Sequence, residues 1–252
     1  MNINIEFLGY PGSGKSHLSK QIKKSLSIKN ISFIKSDKLL FNAYPKNMIE
    51  KFFYKKYYNY KINKKFQSNY LFKKQYIFLS NKINETIKQK KKISLINLYK
   101  SILKLTTLNQ NGIKRSIDNF KICLCGYYLN YNNDIIYSED GLLQSLYQVY
   151  KHKINKKNVK LIKKFLDKLP TASIVLILET KFNSALKRAN MRQKGFNYYN
   201  YDINKIKYNY QILDKLIMEY LKKNRINILK IRSINKSKVY MSKIVKLINK
   251  QS

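Results

Sequence analysis

Apolar residues along this chain form two kinds of pattern, short continuous runs and longer helical repeats. Five runs are short and rich in Ile, Leu, Val or Phe, which predicts β-strands. They lie at 3–9, 31–37, 134–140, 172–179 and 226–232. Strands that alternate with helical segments are typical of an α/β fold with a parallel sheet.

The segments between these runs carry apolar residues every three or four positions, which predicts amphipathic helices. After the first run, for example, the pattern consists of Leu18, Ile22 and Leu26. The predicted helices cover 15–30, 141–152, 158–169, 181–195, 205–224 and 235–250. Pro170 and Gly195 stand where two of them end, as helix terminators do.

Residues 40–130 differ from the rest, because they are rich in Lys, Tyr and Asn and contain only one proline. Leu95, Leu98 and Ile102 recur at helical spacing. This pattern predicts several helices that form an insert or cap within one domain of residues 1–252. The interleaved aromatic residues at 40–79 favour packing between helices, and contact with nucleic acid is the alternative.

Charge and cysteine content add two expectations. The formal net charge of +39 predicts non-specific, salt-dependent attraction to polyanions. The lysines are spread along the chain, however, and only five of 52 basic residues are Arg. That bias is typical of an A+T-rich coding sequence. With two cysteines, no secretion signal and no apolar run that could span a bilayer, we expect a cytoplasmic protein.

Residues 9–16, "GYPGSGKS", match the phosphate-binding pattern G-x4-G-K-[ST] at every fixed position, between a predicted strand and a predicted helix. Glycines let backbone N–H groups approach phosphate oxygens, and the helix start adds its dipole. Lys15 is expected to reach the β- and γ-phosphates, and Ser16 to ligate Mg²⁺. The predicted nucleotide-binding residues are Gly9, Tyr10, Pro11, Gly12, Ser13, Gly14, Lys15 and Ser16.

A second group of candidates follows the strand at 172–179. Arg188 and Arg192 are four residues apart and therefore share one face of the predicted helix. Guanidinium groups on a mobile lid segment can stabilise the charge of a phosphoryl group during transfer. Two solvated surface arginines are the other interpretation.

Together, "EFLGYPGSGKSHLSKQI" and "LPTASIVLILETKFNSALKRANMRQKG" resemble the thymidylate-kinase-like group of P-loop nucleoside and nucleotide kinases. The resemblance covers roughly 1–37 and 133–252, and it implies a three-layer P-loop NTPase fold. Thymidylate kinases carry Asp-Arg-Tyr after the third strand, where this chain has "SEDGLLQ" (138–144) without arginine. That form is more similar to uncharacterised thymidylate-kinase-like proteins.

Three acids are the remaining candidates. Glu139 and Asp140 are adjacent at the carboxyl end of a predicted strand, where open α/β sheets bind ligands. One carboxylate could hold Mg²⁺ through water, and the other could accept a proton. Asp140 is our first choice for metal binding and catalysis, and Glu139 is our candidate for substrate binding. The alternative is a helix start that favours acids. Asp37 is a candidate substrate residue or a helix cap.

These observations predict an ATP- and Mg²⁺-dependent kinase that transfers the γ-phosphoryl group to a small nucleotide, nucleoside or sugar-like acceptor. Two alternatives stay open. One is a nucleic-acid-associated ATPase or polynucleotide 5′-kinase, and the other is a nucleotide-binding protein without catalytic activity. The oligomeric state and the acceptor do not follow from the sequence.

Overall fold

A parallel β-sheet forms the middle layer of the fold. The structure, a computed structural model, describes residues 3–27, 33–35, 81, 83–128, 135–192, 198–232 and 237–250. The strands in this part of the chain are β1 (Ile3–Leu8), β2 (Phe33–Lys35), β3 (Ile135–Ser138), β4 (Ile174–Leu178) and β5 (Asn227–Ile231). They lie in the order β2-β3-β1-β4-β5, and every neighbouring pair is parallel.

Helices cover both faces of this sheet. They are α1 (Lys15–Ser27), α2 (83–89), α3 (Ile93–Leu103), α4 (Gln110–Tyr128), α5 (Lys156–Leu166), α6 (Phe182–Arg192), α7 (Ile203–Lys223) and α8 (Ser237–Asn249). α1 and α8 pack on one face, and α3, α4, α5 and α7 contribute to the core on the other. The predicted three-layer α/β fold with a parallel sheet is therefore confirmed.

The apolar patterns explain the two cores. β4 consists of "IVLIL", and four of its five residues are buried because helices cover both of its faces. Leu18, Ile22 and Leu26 of α1 are fully buried, as their helical spacing predicts. In the described part of the chain, no helix is long and apolar enough to cross a membrane.

The part of residues 40–130 that the structure describes is helical, and the interpretation of these residues as an insert or cap stays a prediction. α2, α3 and α4 occupy 83–128, and Tyr99 of α3 stacks on Phe120 of α4 with ring centroids 4.3 Å apart. The aromatic residues for which the sequence favours packing between helices lie at 40–79, and their packing stays a prediction. The Lys/Tyr-rich part of the insert, up to residue 80, lies outside the described residues.

The predicted helix at 141–152 is wrong. Only a short 3₁₀ turn, Gln144–Leu146, forms there. An amphipathic helix would leave one face exposed, but residues 141–150 are almost all buried. The backbone of this segment bonds to the chain after α3, through Thr107 N–H to the Val149 carbonyl (2.8 Å) and Lys151 N–H to the Leu105 carbonyl (2.9 Å). These tertiary hydrogen bonds replace the helical ones, and we call residues 139–150 the β3 loop.

Candidate active site

The loop between β1 and α1, which we call the glycine loop, makes a tight turn. Ser13 N–H donates to the Tyr10 carbonyl at 2.9 Å, which closes the turn before α1 begins. Gly12 and Gly14 adopt φ values of +81° and +101°, which residues with a side chain rarely reach. A Cβ atom on Gly12 would also lie 2.1 Å from the Ala185 carbonyl oxygen of α6. Glycine at position 12 therefore lets the loop pack directly on the backbone of α6.

Lys15 lies across this loop. Its Nζ donates to the Gly9 carbonyl at 2.9 Å and to the Tyr10 carbonyl at 3.4 Å, and the residue is only 9% exposed. Burial lowers the pKa of Lys15 to about 8, against the opposing effect of the Asp140 and Glu139 carboxylates. The amine is thus held at the loop by two neutral carbonyls, which a phosphate oxygen would replace with a stronger, charge-assisted partner.

A cavity of about 390 Å³ opens in front of the loop. The residues that line it come from the loop, the β3 loop, and helices α3, α4 and α6. They include Pro11, Gly12, Gly14, Lys15, Ser16, Tyr99, Ser116, Asn119, Phe120, Asp140, Gln144, Ser145, Tyr147, Gln148, Ala189 and Tyr198. The structure therefore brings a lysine, a carboxylate, a hydroxyl and several amide side chains to one concave site, which we call the P-loop cavity.

Asp140 and Ser16 are both exposed residues of the P-loop cavity. Within the described residues, no three Asp, Glu, His or Cys side chains come together as a metal site. A metal here would depend on these two oxygen ligands, phosphate oxygens and water, and Mg²⁺ favours that kind of coordination. The donor set therefore fits a magnesium ion that is bound together with a nucleotide.

Glu139 points to a different partner. Its carboxylate accepts a hydrogen bond from the Ser19 hydroxyl of α1 at 2.5 Å, and the residue is half-buried. The Ser19 hydroxyl also lies 3.2 Å from the Ser16 carbonyl. Glu139 thus ties the end of β3 to the first turns of α1, beside the candidate metal ligand. Its predicted role in substrate binding stays a prediction.

The structure describes only some of the remaining candidate residues. Arg188 lies on α6, where its Nε donates to the Ser184 carbonyl of the same helix at 3.2 Å. Among the described residues that line the P-loop cavity, α6 contributes Ala189. Arg192 ends α6, but its side chain lies outside the described residues, and so does Asp37. The catalytic roles of both arginines and the substrate role of Asp37 stay predictions.

A buried carboxylate that the sequence did not reveal holds the β3 loop. Glu6 of β1 is 2% exposed and accepts hydrogen bonds from the Tyr127 hydroxyl and from the backbone N–H groups of Leu142 (3.0 Å) and Leu143 (3.1 Å). A Cβ on Gly141 would lie 2.8 Å from the Glu6 carboxyl carbon. Glu6 therefore fixes the backbone directly after Asp140.

The Glu6 carboxylate has no cationic partner within hydrogen-bond distance in the described part of the chain, which makes its burial costly. Burial raises the pKa of Glu6, and the hydrogen bonds from Tyr127, Leu143 and Leu142 lower it in part. The signal in the sequence is a single acid inside the apolar run "INIEFL". Such an acid faces either solvent or a designated partner, and the sequence does not say which.

A second carboxylate, Asp214 of α7, was also missed. It accepts hydrogen bonds from the Tyr10 hydroxyl (2.6 Å) and the Tyr147 hydroxyl. Tyr10 belongs to the loop between β1 and α1, and Tyr147 belongs to the β3 loop and lines the P-loop cavity. Burial raises the pKa of Asp214, whereas the hydrogen bonds from Tyr10 and Tyr147 lower it. This carboxylate therefore fastens two walls of the site to α7.

Solved structures of three kinases match nearly the whole chain. The deoxyadenosine kinase from M. mycoides, with products dCMP and a flexible dCDP bound, is 14% identical, and the match covers 99% of this chain and 100% of that one, with a TM-score of 0.46. The shikimate kinase from Bacteroides thetaiotaomicron is 12% identical over 98% of each chain, with a TM-score of 0.38. The thymidylate kinase from Ehrlichia chaffeensis is 11% identical over 98% of each chain, with a TM-score of 0.37.

At these identities and TM-scores, the likenesses carry no information on the substrate of this chain. No protein-family model and no curated protein matches the sequence. The loop that contains the G-x4-G-K-[ST] motif joins β1 to α1, and β1 lies inside a parallel sheet with helices on both faces. The chain therefore has a three-layer α/β fold in which this motif connects the first strand to the first helix.

Proposed function

We propose that this chain is an ATP-dependent small-molecule kinase. It transfers the γ-phosphoryl group of ATP to a hydroxyl or phosphate oxygen of a nucleotide, nucleoside or sugar-like acceptor. The observation that supports this proposal most directly is that Lys15, Ser16 and Asp140 line one cavity at the glycine loop. These are the side chains that phosphoryl transfer uses to bind phosphates and to neutralise their charge.

The backbone N–H groups of the glycine loop and the start of α1 bind the phosphate chain of ATP in this proposal. Lys15 leaves the carbonyls of Gly9 and Tyr10 and binds the β- and γ-phosphate oxygens. Ser16 and Asp140 are the residues that would hold Mg²⁺, Asp140 through a water molecule. The ion, when bound, neutralises negative charge on the β- and γ-phosphates.

In the transfer itself, an acceptor oxygen forms a new bond to the γ-phosphorus, and the bond between that phosphorus and the β–γ bridging oxygen breaks. ADP leaves with that oxygen, and a hydroxyl acceptor releases its proton to a carboxylate, for which Asp140 is the candidate. Arg188 and Arg192 act as lid residues that bind the transferring group. Most of the rate enhancement comes from positioning and charge stabilisation.

The acceptor occupies the part of the P-loop cavity between α3, α4 and the β3 loop. Asn119 and Gln148 provide amide groups there that can donate and accept hydrogen bonds, whereas Tyr99 and Phe120 are almost fully buried. An acceptor with several polar substituents fits this chemistry. The acceptor, a cytoplasmic location and any attraction of the lysine-rich surface to polyanions are parts of the proposal that follow from sequence reasoning.

The proposal is tested by incubating the purified chain with γ-labelled ATP and Mg²⁺ and a panel of nucleosides, nucleotides and sugars. Transfer of the label to one acceptor class, abolished in Lys15→Ala, is the expected result. Lys20→Ala is the matched control, because Lys20 is an exposed lysine of α1 and its loss changes the net charge by the same amount. ATP turnover that appears only with added DNA or RNA would favour a polynucleotide kinase or ATPase instead.

A further inference from the structure

Gln144 is a buried amide side chain whose two ends have different environments. The residue is 7% exposed and lines the P-loop cavity. Its Oε1 accepts a hydrogen bond from the backbone N–H of Gly9 at 3.1 Å. Because a backbone N–H needs an acceptor, this contact fixes the orientation of the amide and leaves Nε2 as the opposite end.

Within the described part of the chain, no hydrogen bond satisfies the Nε2 of Gln144. The amide of Gln148, further along the β3 loop, differs, because its Nε2 donates to the Ser145 carbonyl at 3.3 Å. Nε2 keeps some solvent accessibility at the wall of the cavity, because it is not among the buried side-chain atoms that lack a hydrogen-bond partner. An N–H₂ group at the wall of a cavity is satisfied when a ligand supplies an acceptor.

The position of Gln144 indicates which part of a ligand it contacts. Both backbone groups of Gly9 form hydrogen bonds with side chains. Its N–H donates to the Gln144 Oε1, and its carbonyl accepts from the Lys15 amine. The amide and the lysine thus approach the same residue at the start of the loop, and both line the P-loop cavity with Asp140. The region near the Lys15 amine is where the terminal phosphate of a bound nucleotide lies in the proposed function.

We propose that Gln144 is a further catalytic residue, whose Nε2 donates a hydrogen bond to an oxygen of the transferring γ-phosphoryl group. This inference rests on the proposed kinase function. A donor that is already oriented by Gly9 stabilises negative charge on that group without having to reorganise. A neutral amide also adds no positive charge beside Lys15, whose pKa burial already lowers to about 8.

A purely structural role is the competing explanation, in which Gln144 only fastens Gly9. Two substitutions separate the roles. Gln144→Met has a similar length but removes both hydrogen bonds, whereas Gln144→Glu keeps an oxygen for the Gly9 N–H and has no N–H to donate. Gln211→Met is the matched control, because Gln211 is an exposed residue of α7 away from the P-loop cavity.

Calorimetric titration measures the affinity of each protein for Mg·ADP and for Mg²⁺ with the non-hydrolysable β,γ-imido analogue of ATP. The ratio of these affinities reports contacts to the γ-phosphate alone. Loss of one hydrogen bond to a charged oxygen lowers the ratio by about tenfold, and this is expected in both Gln144 variants. The control is expected to keep the wild-type ratio. Thermal melting checks that each variant is folded.

A wild-type ratio in both variants would overturn the inference. So would a result in which Gln144→Met weakens ADP and the analogue equally and Gln144→Glu restores both, because Gln144 would then only fasten Gly9. Failure of the wild-type chain to bind either nucleotide would instead overturn the proposed function. The two failures are therefore distinguishable in one set of titrations.

Discussion

Replacement of Tyr127 by Phe tests the buried carboxylate that holds the β3 loop. The Tyr127 hydroxyl donates to Glu6, whose carboxylate otherwise accepts from two backbone N–H groups. A hydrogen bond to a charged group contributes about 1.5–3 kcal/mol, so Tyr127→Phe is expected to lower the free energy of unfolding by about that amount where Glu6 is ionised in the folded protein. The loss includes the greater desolvation of the carboxylate that remains.

The deficit is expected to depend on pH with a definite sign. Burial raises the pKa of Glu6 above its ordinary value of 4.5, and the bond from Tyr127 lowers it in part, so the substitution raises it further. Above the folded-state pKa, Glu6 is ionised in both the folded and unfolded states, and the full deficit is present. As the pH falls through the folded-state pKa, the carboxyl becomes neutral in the folded protein, and the deficit shrinks to about 1 kcal/mol.

Urea unfolding of the wild type and the variant, repeated at intervals from pH 9 to pH 4, measures this difference. Tyr150→Phe is the matched control, because the buried Tyr150 hydroxyl donates to a neutral acceptor, the Leu146 carbonyl, at 3.0 Å. Its deficit is expected to be about 1 kcal/mol across this pH range. A Tyr127→Phe deficit that stays constant over the whole range would show that the hydroxyl does not respond to the charge of Glu6, and the reasoning would be refuted.

Three further predictions concern the site. Burial lowers the pKa of Lys15 to about 8, and bound phosphates would raise it, so nucleotide binding at pH 8.5 is expected to take up a proton. Calorimetry in buffers of different ionisation enthalpy measures the proton uptake, and its absence would contradict the prediction. Asp140→Asn is expected to raise the Mg²⁺ concentration for half-maximal turnover by about tenfold, and an unchanged titration would exclude a metal role. Tyr10→Phe and Asp214→Asn are each expected to destabilise the fold by about 1–3 kcal/mol. Because the Tyr10 hydroxyl and the Asp214 carboxylate form one hydrogen bond, the double variant should lose less stability in urea unfolding than the sum of the two single losses. Full additivity would count against the contact.

The sequence predicted most elements of the fold because their apolar patterns are local. The run around β4 is too apolar for a surface strand, and the repeat of Leu18, Ile22 and Leu26 has the period of one helix face. The helix expected at 141–152 failed for a tertiary reason. Its Leu and Tyr residues suit a helix, but the chain after α3 pairs with the Val149 carbonyl and the Lys151 N–H of this segment.

The sequence likewise predicted some residues of the candidate site and did not reveal others. The glycine loop and Lys15 are contiguous in sequence, so their geometry follows from one motif. Asp140 was identified from its position after a parallel strand, and the structure places it in the P-loop cavity with Lys15. Glu6 and Asp214 were missed because their partners lie 121 and 204 residues away, respectively, as Tyr127 and Tyr10.

The sequence by itself determined the strand–loop–helix unit that begins the chain, because glycine spacing and hydrophobic period act over a few residues. It also determined that the sheet is parallel, since helical segments separate the strands. Only the tertiary structure decided which polar side chains share one cavity. The orientation of Gln144, the hold of Glu6 on the β3 loop and the contact of Gly12 with α6 each depend on groups far apart in the chain. Packing of the layers brings those groups together, and no local pattern encodes such distances.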